Sequence, residues 1–131
     1  MTAKNAPFYQ NRMPQLPLTS ISQLTQLPLT FKEDLSKYSP NGFIAVPPEE
    51  LFQYHESSGT TGKPVSTWMT KDDFYKNVNQ FTRSGVHFHN RDIVLVRFPY
   101  ALTVISHLIH AAAQQQQACV IPAGAGTPGV T

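Results

Sequence analysis

A single cysteine, Cys119, is all the thiol this chain carries. No disulfide framework can form within it. Cys119 sits in the apolar run Ala118-Cys119-Val120-Ile121, and a small apolar thiol in such a run is expected to be a buried structural one. Charge is also scarce. Charged residues make up 14% of the sequence and the formal net charge is +2, too weak a field to argue for nucleic acid. The basic residues are scattered from Lys4 to Arg97 without forming a stripe. Long hydrophobic runs are missing as well. No stretch approaches the roughly 18 apolar residues of a bilayer span. The opening Met-Thr-Ala-Lys-Asn-Ala-Pro has no apolar signal region. Neither nucleic acid nor membrane is expected as a partner, and the expected location is cytoplasmic and reducing.

What is present looks globular. Hydrophobic residues make up 40% of the 131, enough to fill a core in one modest domain or in a piece of a larger one. Eleven prolines point to many loops, or to surface that another part of a protein covers. Residues 1–50 read as a loop-rich lead-in with short helical pieces. Ser20 with Gln23 and Thr30 with Glu33 each have capping-box spacing, and Pro40-Asn41-Gly42 reads as a turn.

From residue 51 the pattern changes. Leu51 to Glu56 looks extended, and Val65 to Met69 is rich in β-formers. Thr70 with Asp73 caps an expected helix from about Lys71 to Ser84, closed by Gly85, with Phe74, Val78 and Phe81 at helical spacing. Asp92 to Arg97 and Ala118 to Ile121 read as strands buried on both faces, with a helix over 102–117 between them. The tail from Ala123 to Gly129 reads as loop. Strands alternating with helices over 65–121 predict an α/β fold with a mainly parallel sheet and flanking helices.

The chemistry concentrates in Ser57-Ser58-Gly59-Thr60-Thr61-Gly62-Lys63-Pro64. Gly59 and Gly62 allow backbone angles at which successive N–H groups point inward and cradle an anion. Ser57, Ser58, Thr60 and Thr61 add hydroxyls, and Lys63 adds a positive charge. The set suits a polyphosphate. It is not a Walker A loop, because the two glycines are three apart and Pro64 cannot open a helix with a free N–H. On composition alone, a flexible surface hairpin of Ser, Thr and Gly fits as well.

The exact string resembles the phosphate-loop signature of the adenylate-forming superfamily: acyl-CoA synthetases, luciferases and peptide-synthetase adenylation domains. Its flanks resemble the phenylacetate-CoA ligase branch. Leu27-Pro28-Leu29-Thr30-Phe31-Lys32-Glu33-Asp34-Leu35 is similar to that branch's "LPxTxKxDL", and Ala6-Pro7-Phe8-Tyr9 to its "VPFY". His55 matches the histidine that opens "HxSSGTTGKP". Tyr100, Leu102 and His110 fall on "YGLFTGG…H", and Val120-Ile121-Pro122 on "VIP".

The resemblance implies the large N-terminal domain of an adenylate-forming enzyme, in part, with the phosphate loop between two strands. The whole enzyme would be an AMP-forming acid–thiol ligase. A carboxylate attacks the α-phosphate of ATP, pyrophosphate leaves, and the thiolate of coenzyme A then displaces AMP from the acyl-adenylate, with Mg2+ spreading the phosphate charge. Ser57, Ser58, Gly59, Thr60, Thr61, Gly62 and Lys63 would hold the β- and γ-phosphates, and Tyr100 would line the acyl pocket. No catalytic residue is expected in this segment. Ala101, Ile105, Ser106 and Leu108 stand where the branch has a glycine-rich run. Bulk there would reshape the acyl pocket, leaving phenylacetate and a differently shaped carboxylic acid both open.

The branch's later nucleotide-binding motifs, its domain hinge and its small C-terminal domain with the adenylation lysine have no counterpart in this sequence. The expectation is one incomplete domain over 1–131, cut short by design, by proteolysis or by an interrupted gene. It would be inactive alone, would take the remainder of the ligase as partner, and could self-associate through the surface that remainder covers. Two readings compete: a stand-alone nucleotide- or acyl-binding module without catalysis, and an interaction domain whose loop is accidental. His107 and His110 sit three apart on an expected helix, but no further ligand cluster accompanies them, so no metal site is expected.

Overall fold

Two helices laid against each other carry the core. In the computed structural model, which describes residues 5–13, 18–59 and 62–126, α3 spans Lys71–Arg83 and α4 spans Val104–Gln115. Phe74 and Val78, one turn apart on α3, meet Ala112 of α4. Met69, Phe81, Phe88, Leu108 and Ala111 close around them. Val78 is fully buried, and removing a side chain of that size from water contributes roughly 1.5–3 kcal/mol. The start of α3 is fixed locally. The Asp73 N–H donates to Thr70 Oγ1 at 3.1 Å, and the Thr70 N–H donates back to Asp73 Oδ2 at 3.1 Å. Its end comes at Ser84, followed by Gly85 at φ +99°.

The strands form two small sheets. β1 (Leu51–Glu56) pairs antiparallel with β2 (Ser66–Thr70), with Tyr54 opposite Trp68 and Glu56 opposite Ser66. β3 (Ile93–Leu95) pairs parallel with β4 (Cys119–Ile121) through the crossover helix α4. The expected mainly parallel sheet is therefore corrected to a mixed α/β arrangement. The physical reason lies in connection length. The stretch from Ser57 to Val65 is too short for a parallel crossover, which needs a dozen or more residues, and suits an antiparallel return.

A second correction concerns burial. Ile93 is 70% exposed, Leu95 and Ile121 are exposed beside it, and Cys119 is an exposed thiol. β3 and β4 cover only one face among the described residues, so the strands expected to be buried on both sides alternate instead. Helix α4 is also shorter than 102–117. Leu102 at φ +59° holds the chain out of the helix at one end, and Gln117 at φ +62° breaks it at the other.

The lead-in is tied to the hairpin. The Ser20–Gln23 box forms, with Gln23 Oε1 accepting from the N–H groups of Thr19 and Ser20 at 2.7 and 3.3 Å. It opens a short 3₁₀ turn over Ile21–Gln26. A first helix, α1 (Pro7–Gln10), buries Phe8 against Tyr38 and Phe43. Helix α2 (Lys32–Tyr38) begins one residue later than Thr30 with Glu33 predicts, because Asp34 reaches back to the Phe31 N–H at 3.1 Å. Behind α2, the Ser39 hydroxyl donates to the Leu35 carbonyl at 2.8 Å and accepts from the Ser66 N–H at 3.1 Å. The Trp68 indole N–H donates to the Pro40 carbonyl at 2.9 Å.

Candidate functional site

The Ser/Thr/Gly-rich loop crosses from β1 to β2 at the turn end of the hairpin, beside the Glu56–Ser66 pair. Its mouth is pinned by a reciprocal pair. The Ser57 N–H donates to the Val65 carbonyl at 3.0 Å, and the Val65 N–H donates to Ser57 Oγ at 2.9 Å. Gly59 adopts φ +64°, and a Cβ there would sit 3.1 Å from both the Gly62 carbonyl oxygen and Pro64 Cγ. Only glycine fits this position without strain. The Gly62 N–H donates to the Gly59 carbonyl at 3.0 Å, so the loop folds back on itself. Gly62 itself, at φ +150°, faces open space. Ser57, Ser58, Gly62 and Lys63 are exposed. Thr60 and Thr61 lie outside the described residues.

Three side chains brace the loop from below. The Tyr54 hydroxyl bonds Glu56 Oε1 and lies 3.0 Å from Ser66 Oγ. The hydrogen bond to the Glu56 carboxylate is the main cause that pushes the Tyr54 phenol up. Sequence reasoning missed this group. Its signal is the two-residue period that puts Tyr54 and Glu56 on one strand face, but Ser66 joins them only through the antiparallel register.

On the other face of β1, His55 is 5% exposed. Its Nε2 lies 2.9 Å from Gln53 Oε1, and its Nδ1 has no partner among the described residues. The ring centroid stands 5.4 Å from that of His107 on α4. Burial pushes the His55 imidazole down, and His107 adds to the effect.

Tyr100, the expected wall of an acyl pocket, joins the same neighbourhood. Its hydroxyl lies 3.1 Å from His110 Nδ1, and its carbonyl lies 3.0 Å from His107 Nε2. The two histidines that helical spacing puts on one face are thus both engaged by one tyrosine. Burial pushes the Tyr100 phenol up. The Glu56 N–H donates to the Leu102 carbonyl at 2.8 Å, so the Tyr100 turn and the foot of the loop are joined by backbone. Among the described residues, no three His, Cys, Asp or Glu side chains converge as a metal cage would require. No described helix is long and apolar enough to cross a membrane.

No protein-family model matches the chain. Individual proteins do. The chain is 34% identical over 129 residues to a phenylacetate-coenzyme A ligase of Pseudomonas putida, which aligns with 93% of this chain. It is 31% identical over 130 residues to the phenylacetate-coenzyme A ligase of Escherichia coli strain K12. It spans only 29% and 30% of the length of those two relatives. Among solved structures, 2-hydroxyisobutyryl-CoA ligase bound to 2-HIB-AMP superposes with a TM-score of 0.72 at 27% identity, over 96% of this chain and 29% of that one. An open conformation of that ligase, with 2-HIB-AMP and CoA, gives a TM-score of 0.74 at 26% identity over the same shares.

Proposed function

We propose that the chain belongs with the phenylacetate-CoA ligase-like branch of the adenylate-forming superfamily, as its likeness to those ligases supports, and that it is the ATP-phosphate-binding part of an acyl- or aryl-CoA ligase. The observation that carries the proposal is the loop that joins β1 to β2. Its string stands in a chain whose relatives are CoA ligases, and its described residues expose Ser57, Ser58, Gly62 and Lys63 on one short segment. Gly59 through Lys63 would hold the β- and γ-phosphates, with Ser57 and Ser58 lending hydroxyls and Thr60 and Thr61 completing the set. Lys63 would neutralise charge as pyrophosphate departs. Mg2+ would arrive on the ATP phosphates rather than in a protein cage.

In the whole ligase, a carboxylate oxygen would attack the α-phosphorus and the bond to pyrophosphate would break. The coenzyme A thiolate would then attack the acyl carbon and release AMP. Tyr100, held by His110, would stand at the edge of the acyl pocket. The carboxylic acid, coenzyme A and the remaining ligase segments are the partners this reading requires. The 131-residue chain would be one incomplete domain, its helical lead-in over 1–50 and its α/β unit over 51–131, and would bind without turning over.

The test is ATP affinity of the chain by calorimetric titration. A charge-assisted contact is worth about 1.5–3 kcal/mol, so Lys63→Ala should weaken ATP binding by roughly 10- to 100-fold. An unchanged affinity would remove the loop from the binding site. Steady ATP–pyrophosphate exchange by the chain alone would overturn its inertness.

A further inference from the structure

Helix α2 and the loop share an open groove of about 560 Å³ whose walls include Lys32, Lys37 and Lys63 against one carboxylate, Glu33, with Ser36 between them. The two walls are held in register. The Ser36 hydroxyl makes a long hydrogen bond of 3.4 Å to the Lys63 carbonyl, and Ser39 bridges α2 to the first residue of β2. None of the three lysines forms an ion pair among the described residues. The next carboxylate along α2, Asp34, is turned away to the Phe31 N–H and to Arg12 Nη1 at 3.8 Å. Like charges that outnumber their counter-charges in a groove, here three lysines to one carboxylate, raise the local concentration of anions. Ammonium groups on flexible stems suit a mobile polyphosphate better than a planar carboxylate, which favours the arginine fork.

We infer that Lys32 and Lys37 form a second anion wall outside the loop, taking the polyphosphate end of the nucleotide on entry and pyrophosphate on departure. This rests on the reading of the loop as a phosphate site and extends that site across α2. Lys63 belongs to both walls. Lys32 and Lys37 are binding residues for the outer phosphates, and Glu33 is the acidic side chain among the described residues of the groove that opposes them.

Titration of the chain with inorganic pyrophosphate and, separately, with ATP tests it, folding being checked by circular dichroism. The double variant Lys32→Gln/Lys37→Gln should weaken pyrophosphate by about five- to tenfold, the sum of two solvent-screened charge contacts. The salt dependence of binding should fall with it. Glu33→Gln should tighten pyrophosphate binding, an effect in the opposite direction that no loss of folding produces. Unchanged pyrophosphate affinity in both variants would overturn the groove while leaving ATP binding through Lys63 standing. Pyrophosphate binding that depends on Lys32 and Lys37, in a chain that does not bind ATP, would keep the groove and overturn the ATP reading. No binding of either ligand by the native chain would overturn both.

Discussion

Among single residues, His55 carries the sharpest consequence. Its imidazole is buried, its Nδ1 lacks a partner among the described residues, and His107 stands beside it. Its folded pKa is lowered from the ordinary value of about 6.5. The unfolded chain therefore takes up this proton more readily than the folded one. The sign follows: the contribution of neutral His55 is present in full above about pH 6.5 and is lost as pH falls through the depressed folded value. Thermal unfolding followed from pH 7.5 down to pH 5 should show a falling Tm that His55→Gln makes shallower; a parallel slope in the variant would refute the assignment. The sequence put His55 in a motif, but its burial brings it against His107, 52 positions further along the chain on α4, which no local pattern reveals. Cys119 teaches the converse. An apolar run identifies a strand but not what covers it, so the thiol expected inside is outside.

Elements were legible in proportion to how local their causes are. Helix α3 follows its sequence pattern from cap to closing glycine, because Thr70, Asp73, Phe74, Val78 and Gly85 settle it within the segment. Thr70→Ala removes the acceptor for the Asp73 N–H and should lower stability by about 1 kcal/mol, while Thr70→Ser should keep most of it. Chemical denaturation midpoints decide this, and equal losses in both variants would show that the hydroxyl is not the cause. The strands were located correctly, but β2 pairs antiparallel with β1 instead of joining the parallel sheet. The alternation of strands and helices over 65–121 fits a parallel unit, and β3–α4–β4 is one. β1 and β2 follow a different rule, set by the short loop between them, and that loop is where the candidate site lies. The Tyr54–Glu56–Ser66 brace beneath it depends on the antiparallel register and was invisible without it.

Across the whole molecule, burial is uneven. The α3–α4 contact holds fully buried side chains, whereas Ile21, Leu24, Leu29 and Phe31 of the lead-in are exposed. Opening free energies should follow that gradient. Amide hydrogen exchange should be slowest in 74–82 and 106–113 and fastest over 18–31; equal protection in the two regions would contradict it. The chain's similarity to about three-tenths of longer ligases gives the exposed β3–β4 face a context that the sequence supplied only through the resemblance, because apolar residues declare a need for cover without naming it. The bond from the Trp68 indole to the Pro40 carbonyl has an optical use as well. The chain contains a single tryptophan, and Trp68 sits on the strand leaving the loop, its ring 4.6 Å from Tyr54 and its indole bonded to Pro40 behind α2. Tryptophan fluorescence from this protein therefore has one source. It reports the joint between lead-in and hairpin, a native optical gauge beside the loop that needs no label.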